Sequence, residues 1–381
     1  MKAIIIYVGN IMHCPPALSV AKTVDNLGVN SILCTIGIDE KEIVYSLGNL
    51  SHTIIRLVEK EYQNDISLFE KFIRMERIKK SIWRVIDENY DDETVIWIIG
   101  EETVKHVGER ITTKRYILHL LELNEGLYYI SGNPIFKLDH KKLAQNASVV
   151  IEAEYNRAHI TKAWWELKEL PFVLPNKPYI KSIINPKSEI TVNEQAKELI
   201  DRTGNKKIIL YQGNISAERP LDRYIKAVDM LGEEYAFVMM INGANPYKDI
   251  NATNFYCLPF IVPPHHLEIT SWAYVGILSY TPIKNSYSIL NTLYCAPNKI
   301  WEYSMFGLPM ISSDLPALRD MFNSYNNGIC LSEVDSDSIA KAIVTIDEHY
   351  SDYKKASLEF FDSIDINEKV KEVLQQAFGK R

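Results

Sequence analysis

Short apolar runs bounded by Gly, Asn or Pro alternate along this chain with longer stretches in which apolar residues recur every three or four positions. The short runs predict buried strands and the longer ones amphipathic helices. In the first half, strands are expected at 1–8, 31–35, 53–57, 94–99, 115–121 and 148–152. Helices are expected at 17–27 behind Pro15-Pro16, at 67–89, at 101–111, and around Trp164 and Trp165. Strands separated by helices in this way predict a parallel sheet wrapped on both faces. Pro171, Pro175 and Pro178 close this half, and the polar, weakly patterned stretch to about Gly204 reads as an inter-domain connection.

A second alternation follows, with strands at 207–213, 236–242, 255–258 and 275–279, and helices at 221–231 and 265–273. A helix and strand fill 296–314, and two or three amphipathic helices run on to Phe378. The expected fold is α/β, with two doubly wound Rossmann-like domains facing each other across a cleft. The first domain spans 1–178, the second 179–364, and a last helix at 365–381 returns to the first. A chain of 381 residues is long enough for two cores.

Composition narrows the partners. The chain is 46% hydrophobic and 24% charged, as soluble globular proteins are, and its net charge of −7 argues against nucleic acid as the main partner. Its five cysteines form no CxxC pair, which argues against a disulfide framework or a zinc site and suits a reducing compartment. The start lacks a signal-peptide pattern, and no apolar run reaches the ~20 residues that span a bilayer. A cytoplasmic protein is expected, with any membrane contact peripheral. The segment 67–89 interleaves Lys71, Arg77, Lys80 and Arg84 with Phe72, Ile78 and Ile82. It reads either as a helix resting on an anionic membrane or as a core-packing helix with a solvated basic face.

Ligands of open parallel sheets bind outside the carboxyl ends of the strands. In the second half those ends carry 213–219, 242–245, 279–281 and 312–314, rich in small and polar residues. The stretch 296–314 stands out. Pro297 suits the first helical position, Gly307 a left-handed cap, and Pro309 stops the helix. Asn298 and Glu302, four apart, share a face near a helix start that favours phosphate. A carboxylate there can accept both hydroxyls of a diol such as a ribose. A plain helix with a solvated Glu302 and a surface Lys299 fits the same letters.

Pro297-Asn298-Lys299-Ile300-Trp301-Glu302-Tyr303, followed by Gly307-Leu308-Pro309 and Ser312-Ser313-Asp314, resembles the donor motif of the retaining GT-B glycosyltransferases of family 4. Ile209 to Gly213 with Arg219 resembles that family's phosphate-side strand, glycine and basic residue. Ala273 to Leu278, Leu174-Pro175-Asn176 and Tyr116 to Glu122 resemble three further family segments. The resemblance implies retaining transfer of a sugar from a nucleotide diphosphate donor, UDP rather than GDP. The acceptor would be a saccharide or lipid-linked saccharide, as in surface-polysaccharide assembly, and no metal or other cofactor is expected.

The resemblance also implies site residues. Arg219 and Lys299 would stabilise the departing diphosphate, and His119 would hydrogen-bond the transferring sugar. Gly213, Asn214, Arg219, Gly243, Tyr294, Asn298, Lys299 and Glu302 would line the donor site, and Asn10 and Glu122 the acceptor side. His119 also reads as a core histidine, Glu122 as either its orienter or a turn cap, and Asn10 as a turn residue. Three positions depart from the family pattern: Tyr294 replaces the first of two glutamates, Asn214 replaces a basic residue, and Tyr274 replaces an aspartate. Two rival functions are a non-catalytic partner of another transferase and a nucleotide-sugar epimerase.

Overall fold

The computed structural model describes residues 1–37, 40–59, 67–128, 138–180, 185–190, 193–283 and 288–379. The chain divides into two compact units. Unit 1 comprises Met1–Tyr179, Ser286–Asn291 and Asp365–Arg381, and unit 2 comprises Ile180–Asn285 and Thr292–Ile364.

Unit 1 holds strands β1 (Lys2–Asn10), β2 (Asn30–Ile36), β3 (Thr53–Glu59), β4 (Thr94–Ile99), β5 (Tyr116–His119), β6 (Val149–Glu152) and β7 (Phe172–Val173). Its helices are α1 (Pro15–Asn26), α2 (Glu40–Leu47), α3 (Leu68–Asn89), α4 (Glu101–Val107), α5 (His140–Asn146) and α6 (Tyr155–Trp164). The sheet is seven-stranded in the order β3-β2-β1-β4-β5-β6-β7. Every pairing is parallel. Apolar residues occur at consecutive positions because both faces are covered. On β4, Val95, Trp97 and Ile99 face one core with α1, while Ile96 and Ile98 face the other with α3. Helix α15 (Ile366–Gly379) sinks Val370, Val373 and Leu374 into the first of these cores.

Unit 2 holds β8 (Lys207–Gln212), β9 (Tyr235–Ile241), β10 (Phe255–Pro259), β11 (Ala273–Leu278), β12 (Met310–Ser313) and β13 (Gly328–Leu331). Its helices are α7 (Glu194–Thr203), α8 (Asp222–Met230), α9 (His266–Thr270), α11 (Asn298–Ser304), α12 (Pro316–Tyr325), α13 (Ser336–Glu348) and α14 (Tyr350–Asp362). Between them α10 (Ile289–Leu293) belongs to unit 1 up to Asn291. The six strands order as β10-β9-β8-β11-β12-β13, again all parallel, so the strand order reverses between β8 and β11. The corresponding reversal in unit 1 lies between β1 and β4.

Several elements differ from the sequence expectation. Part of the supposed connection before Gly204 is α7, capped by the Asn193 side chain and burying Ala196, Leu199, Ile200 and Thr203. Its remaining positions are charged or polar, which hid the stripe. Neither α2 nor the two-residue β7 was anticipated, and the tail expected as helices alone contains β13. These pieces are too short to show a period of their own.

One glycine sets how closely α11 lies on the sheet. A Cβ built on Gly276 of β11 would sit 2.2 Å from the Tyr303 ring. That ring is fully buried, and its hydroxyl donates to the Leu210 carbonyl at 3.2 Å and accepts from the Gln212 amide at 3.3 Å. Gly276→Ala is therefore expected to push α11 off the sheet and to destabilise unit 2 by about 3 kcal/mol or more. Urea unfolding of the variant beside the native chain measures the loss.

Candidate functional site

The reversal of strand order in unit 2 opens a crevice at the carboxyl ends of β8 and β11, the place where doubly wound sheets bind ligands. From β8 it receives Gln212 and Gly213. Gly213 has φ +127°, a region that excludes ordinary side chains, and a Cβ there would lie 3.5 Å from Lys299 Nζ. The loop beyond carries Arg219, and its start is pinned by the Tyr211 hydroxyl donating to the Asn214 carbonyl at 2.6 Å. From β11 the crevice receives Ser279 and Tyr280. Ser279 donates to the Pro220 carbonyl at 2.6 Å, and Ser313 donates to the Tyr280 carbonyl at 2.6 Å.

Helix α11 supplies the two ionisable groups. Lys299 and Glu302, three apart, share a face turned into the protein, and both are buried. This burial removes the readings of a surface lysine and a solvated glutamate. Pro297 is the N-cap with extended backbone rather than the first helical residue, and Asn298 opens the helix. With only seven residues in α11, the positive character of this site comes from side chains more than from a helix dipole.

Glu302 is held on both oxygens. Gln212 Nε2 donates to Oε2 at 2.6 Å, and His266 Nε2 lies 3.1 Å from Oε1. Gln212 is itself fixed by the Thr270 hydroxyl, which donates to its Oε1 at 2.7 Å. Burial pushes the Glu302 carboxyl up, but His266, Gln212 and Lys299 outweigh it and hold the group below the usual range. Each oxygen of the carboxylate retains accepting capacity for another hydroxyl.

Lys299 stands in the opposite position. Its Nζ lies 4.4 Å from the Tyr211 ring centre and 5.2 Å from that of Tyr280. The Arg219 guanidinium lies 5.3 Å from the same Tyr280 ring. Burial first, and Arg219 second, lower the Lys299 amine to about 7, against the pull of Glu302. Two basic groups beside the one Tyr280 ring, with Lys299 buried, make a site that favours an anion.

Of the remaining donor-side candidates, Asn214 and Gly243 are exposed, while Tyr294 and Asn298 are half-buried. Gly243 has φ +93° with open space around it. The sequence did not point to Thr270 or His266, and it reached Tyr211, Gln212 and Tyr280 only as members of the stretches 209–213 and 279–281, with no role for any of them. Gln212 was the one available signal, a polar residue ending a buried strand just before the glycine.

In unit 1 the acceptor-side candidates have other primary partners. Asn10 Oδ1 accepts from the Met12 amide at 3.0 Å and caps a short turn, as its turn reading had it. Glu122 does not orient His119: its Oε2 accepts from Asn291 Nδ2 at 2.8 Å, and its amide donates to Glu101 Oε1 at 2.9 Å. Past the end of β5 the chain bends, and Glu101 grips the Leu121 and Glu122 amides together. His119 is buried at the end of β5, with Trp97 Nε1 donating to its Nδ1 at 3.4 Å. That bond leaves the proton on Nε2, which is buried without a partner among the described residues. Burial lowers the imidazole to about 3, so His119 is neutral at physiological pH and available only as an N–H donor. Burial also raises the neighbouring carboxyls, Glu101 to about 7 and Glu152 to about 8.

Among the described residues, no three His, Cys, Asp or Glu side chains converge where a metal ion could sit. Among the described residues, no helix is long and apolar enough to cross a membrane.

The cradle of Glu302 makes a stability prediction. Gln212→Ala and His266→Ala each remove a donor from a buried carboxylate and are expected to cost about 1–3 kcal/mol. Because they share one acceptor, the double variant should depart from the sum of the singles. Equilibrium denaturation of the three variants measures both effects.

No family model matches this chain, and no curated protein matches it. Solved structures do. HepE of Anabaena, solved in complex with UDP-glucose, is 12% identical over 98% of this chain and 99% of its own, with a TM-score of 0.63. A glycosyltransferase from Rickettsia africae is 11% identical over 100% and 99%, with a TM-score of 0.66. Sucrose-phosphate synthase from Thermosynechococcus elongatus is 12% identical over 100% and 97%, with a TM-score of 0.60. At such identities the likeness speaks to architecture, and with the two parallel sheets it shows that this chain has the GT-B glycosyltransferase fold.

Proposed function

We propose that this protein is a glycosyltransferase that moves a sugar from a UDP-sugar to a saccharide or lipid-linked saccharide acceptor, with retention, in surface-polysaccharide assembly. The observation that carries this reading is the buried pairing of Lys299 and Glu302 on one face of α11 beside Arg219. The diphosphate would lie against Lys299 and Arg219, and the ribose diol would bond the free lone pairs of Glu302. Solved GT-B structures bound to UDP and to UDP-glucose support a nucleotide-sugar donor.

When the bond from the sugar to the β-phosphate breaks, negative charge grows on the departing phosphate. Arg219 and Lys299 would stabilise it without reorganisation. In a retaining reaction without a covalent intermediate, that phosphate accepts the proton of the incoming hydroxyl, so no carboxylate nucleophile is required. His119 would contribute as a neutral hydrogen-bond donor to the sugar, since a group lowered to about 3 cannot serve as a general acid near pH 7. Tyr294, standing where the family pattern has a carboxylate, would change the contact to the sugar more than the contact to the nucleotide.

Isothermal titration tests this reading. UDP is expected to bind more tightly than GDP, and Glu302→Ala to weaken UDP by about 2 kcal/mol, or roughly thirtyfold. Failure of the native chain to bind either nucleotide would overturn it.

Lys299 adds a pH dependence. Its amine is lowered to about 7 in the empty site, and a bound diphosphate favours the charged form. Binding therefore takes up a proton above that pH, and UDP affinity should fall as pH rises through 7 to 9, by up to about tenfold per unit. Titrations in buffers of different ionisation enthalpy should show the uptake, and Lys299→Met should abolish it.

A further inference from the structure

Helix α3 is longer than the sheet it covers. Its 22 residues extend about 33 Å, whereas the seven residues of β3, whose last residue Glu59 binds Arg77, extend about 23 Å. Its buried positions begin only at Ile78 and continue through Ile82, Trp83 and Ile86. The first turns, which follow the carboxyl end of β3, therefore overhang the sheet on the edge where Asn10, His119 and Glu122 lie.

The overhang is a built helix. Ser67 and Glu70 form a reciprocal capping box, with the Ser67 amide donating to Glu70 Oε2 at 2.8 Å. Yet it holds Phe69 at 72%, Phe72 at 59% and Ile73 at 48% exposure. Elsewhere among the described residues, large exposed apolar side chains stand singly along the chain. Three within five positions form a patch that soluble surfaces avoid.

The same stripe turns basic. Phe69, Phe72, Ile73, Lys80 and Arg84 fall within about a third of the helix circumference. An open depression of about 450 Å³ runs between Phe72, Ile73, Lys80 and Arg84. Arg77 beside them is bound to Glu59 at 2.6 Å, Glu76 to Lys79 at 3.8 Å, and Asp87 to Arg110 at 2.9 Å. Lys80 and Arg84 are exposed and have no acidic partner among the described residues.

We propose that the overhanging face of α3 docks this protein on an anionic lipid surface, with Phe69, Phe72 and Ile73 entering the interface and Lys80 and Arg84 meeting the headgroups. An apolar stripe continuous with a basic one is what such a surface selects. On a chain of net charge −7, this face is one that an anionic bilayer would attract rather than repel. A second copy of the chain fits less well, because an antiparallel self-pairing would set the Phe rings against Lys80 and Arg84 of its mate. Docking here would bring the carboxyl edge of the unit 1 sheet to the lipid, which suits a lipid-linked acceptor. It does not depend on the donor reading, since vesicle binding and nucleotide binding can fail separately.

Co-sedimentation of the full chain with vesicles tests the proposal. Phosphatidylcholine vesicles containing about 30 mol% phosphatidylglycerol should bind at least about tenfold more protein than phosphatidylcholine alone, at about 0.1 M salt. The triple variant Phe69→Ser, Phe72→Ser, Ile73→Ser and the double variant Lys80→Glu, Arg84→Glu should each reduce that binding about tenfold or more. Thermal melts check folding, and if the triple variant melts early the charge-reversal pair decides alone. Absence of binding to the anionic vesicles, or binding unchanged in both variants, overturns the proposal. So does self-association of the native chain that the triple variant abolishes while vesicle binding persists.

Discussion

The arrangement of unit 2 depends on how two opposite charges are buried on one short helix. A desolvated charge needs partners, and removing one is costlier than never burying it. Glu302 has its partners inside the protein, in Gln212 and His266. Lys299 is surrounded instead by aromatic rings, with a second cation nearby. The carboxylate is anchored and the amine is left under-neutralised, so the site is poised for an anion on one side and for hydroxyls on the other. Gly276, Tyr303 and Gly213 serve that geometry by bringing α11 close to β8 and β11.

Unit 1 presents a different electrostatic character at its carboxyl edge. Burial there suppresses charge: His119 is neutral, and Glu101 and Glu152 have carboxyls raised towards neutrality. The two similar sheets thus differ at their carboxyl ends, with buried ionic side chains in unit 2 and buried groups held towards neutrality in unit 1. The overhang of α3 leaves Phe69, Phe72 and Ile73 exposed at the same edge of unit 1.

Much of the fold was legible because parallel strands buried on both faces appear as plain apolar runs, and 94–99 and 207–212 are of that kind. Helix α7 escaped because its apolar stripe is narrow, and β13 because its four residues begin with glycine. The motif around Glu302 was legible as letters, through Pro297, Gly307 and Pro309. What Glu302 touches was not, because Gln212 and His266 come from two other elements, 90 and 36 positions earlier in the chain.

Local chemistry along the chain thus determined the strands and most helices, the doubly wound α/β class and the stretch that holds the charged helix. Those follow from hydrophobic period, caps and turn residues, which act between neighbours in sequence. Tertiary structure alone decided that Glu302 is cradled and Lys299 is not, that His119 is neutral and accepts from Trp97, and that Phe69, Phe72 and Ile73 find no core. The physical reason is common to all three. Burial and partner choice depend on what distant segments bring to the same place, and an amphipathic pattern states only that a face is apolar, never whether anything covers it.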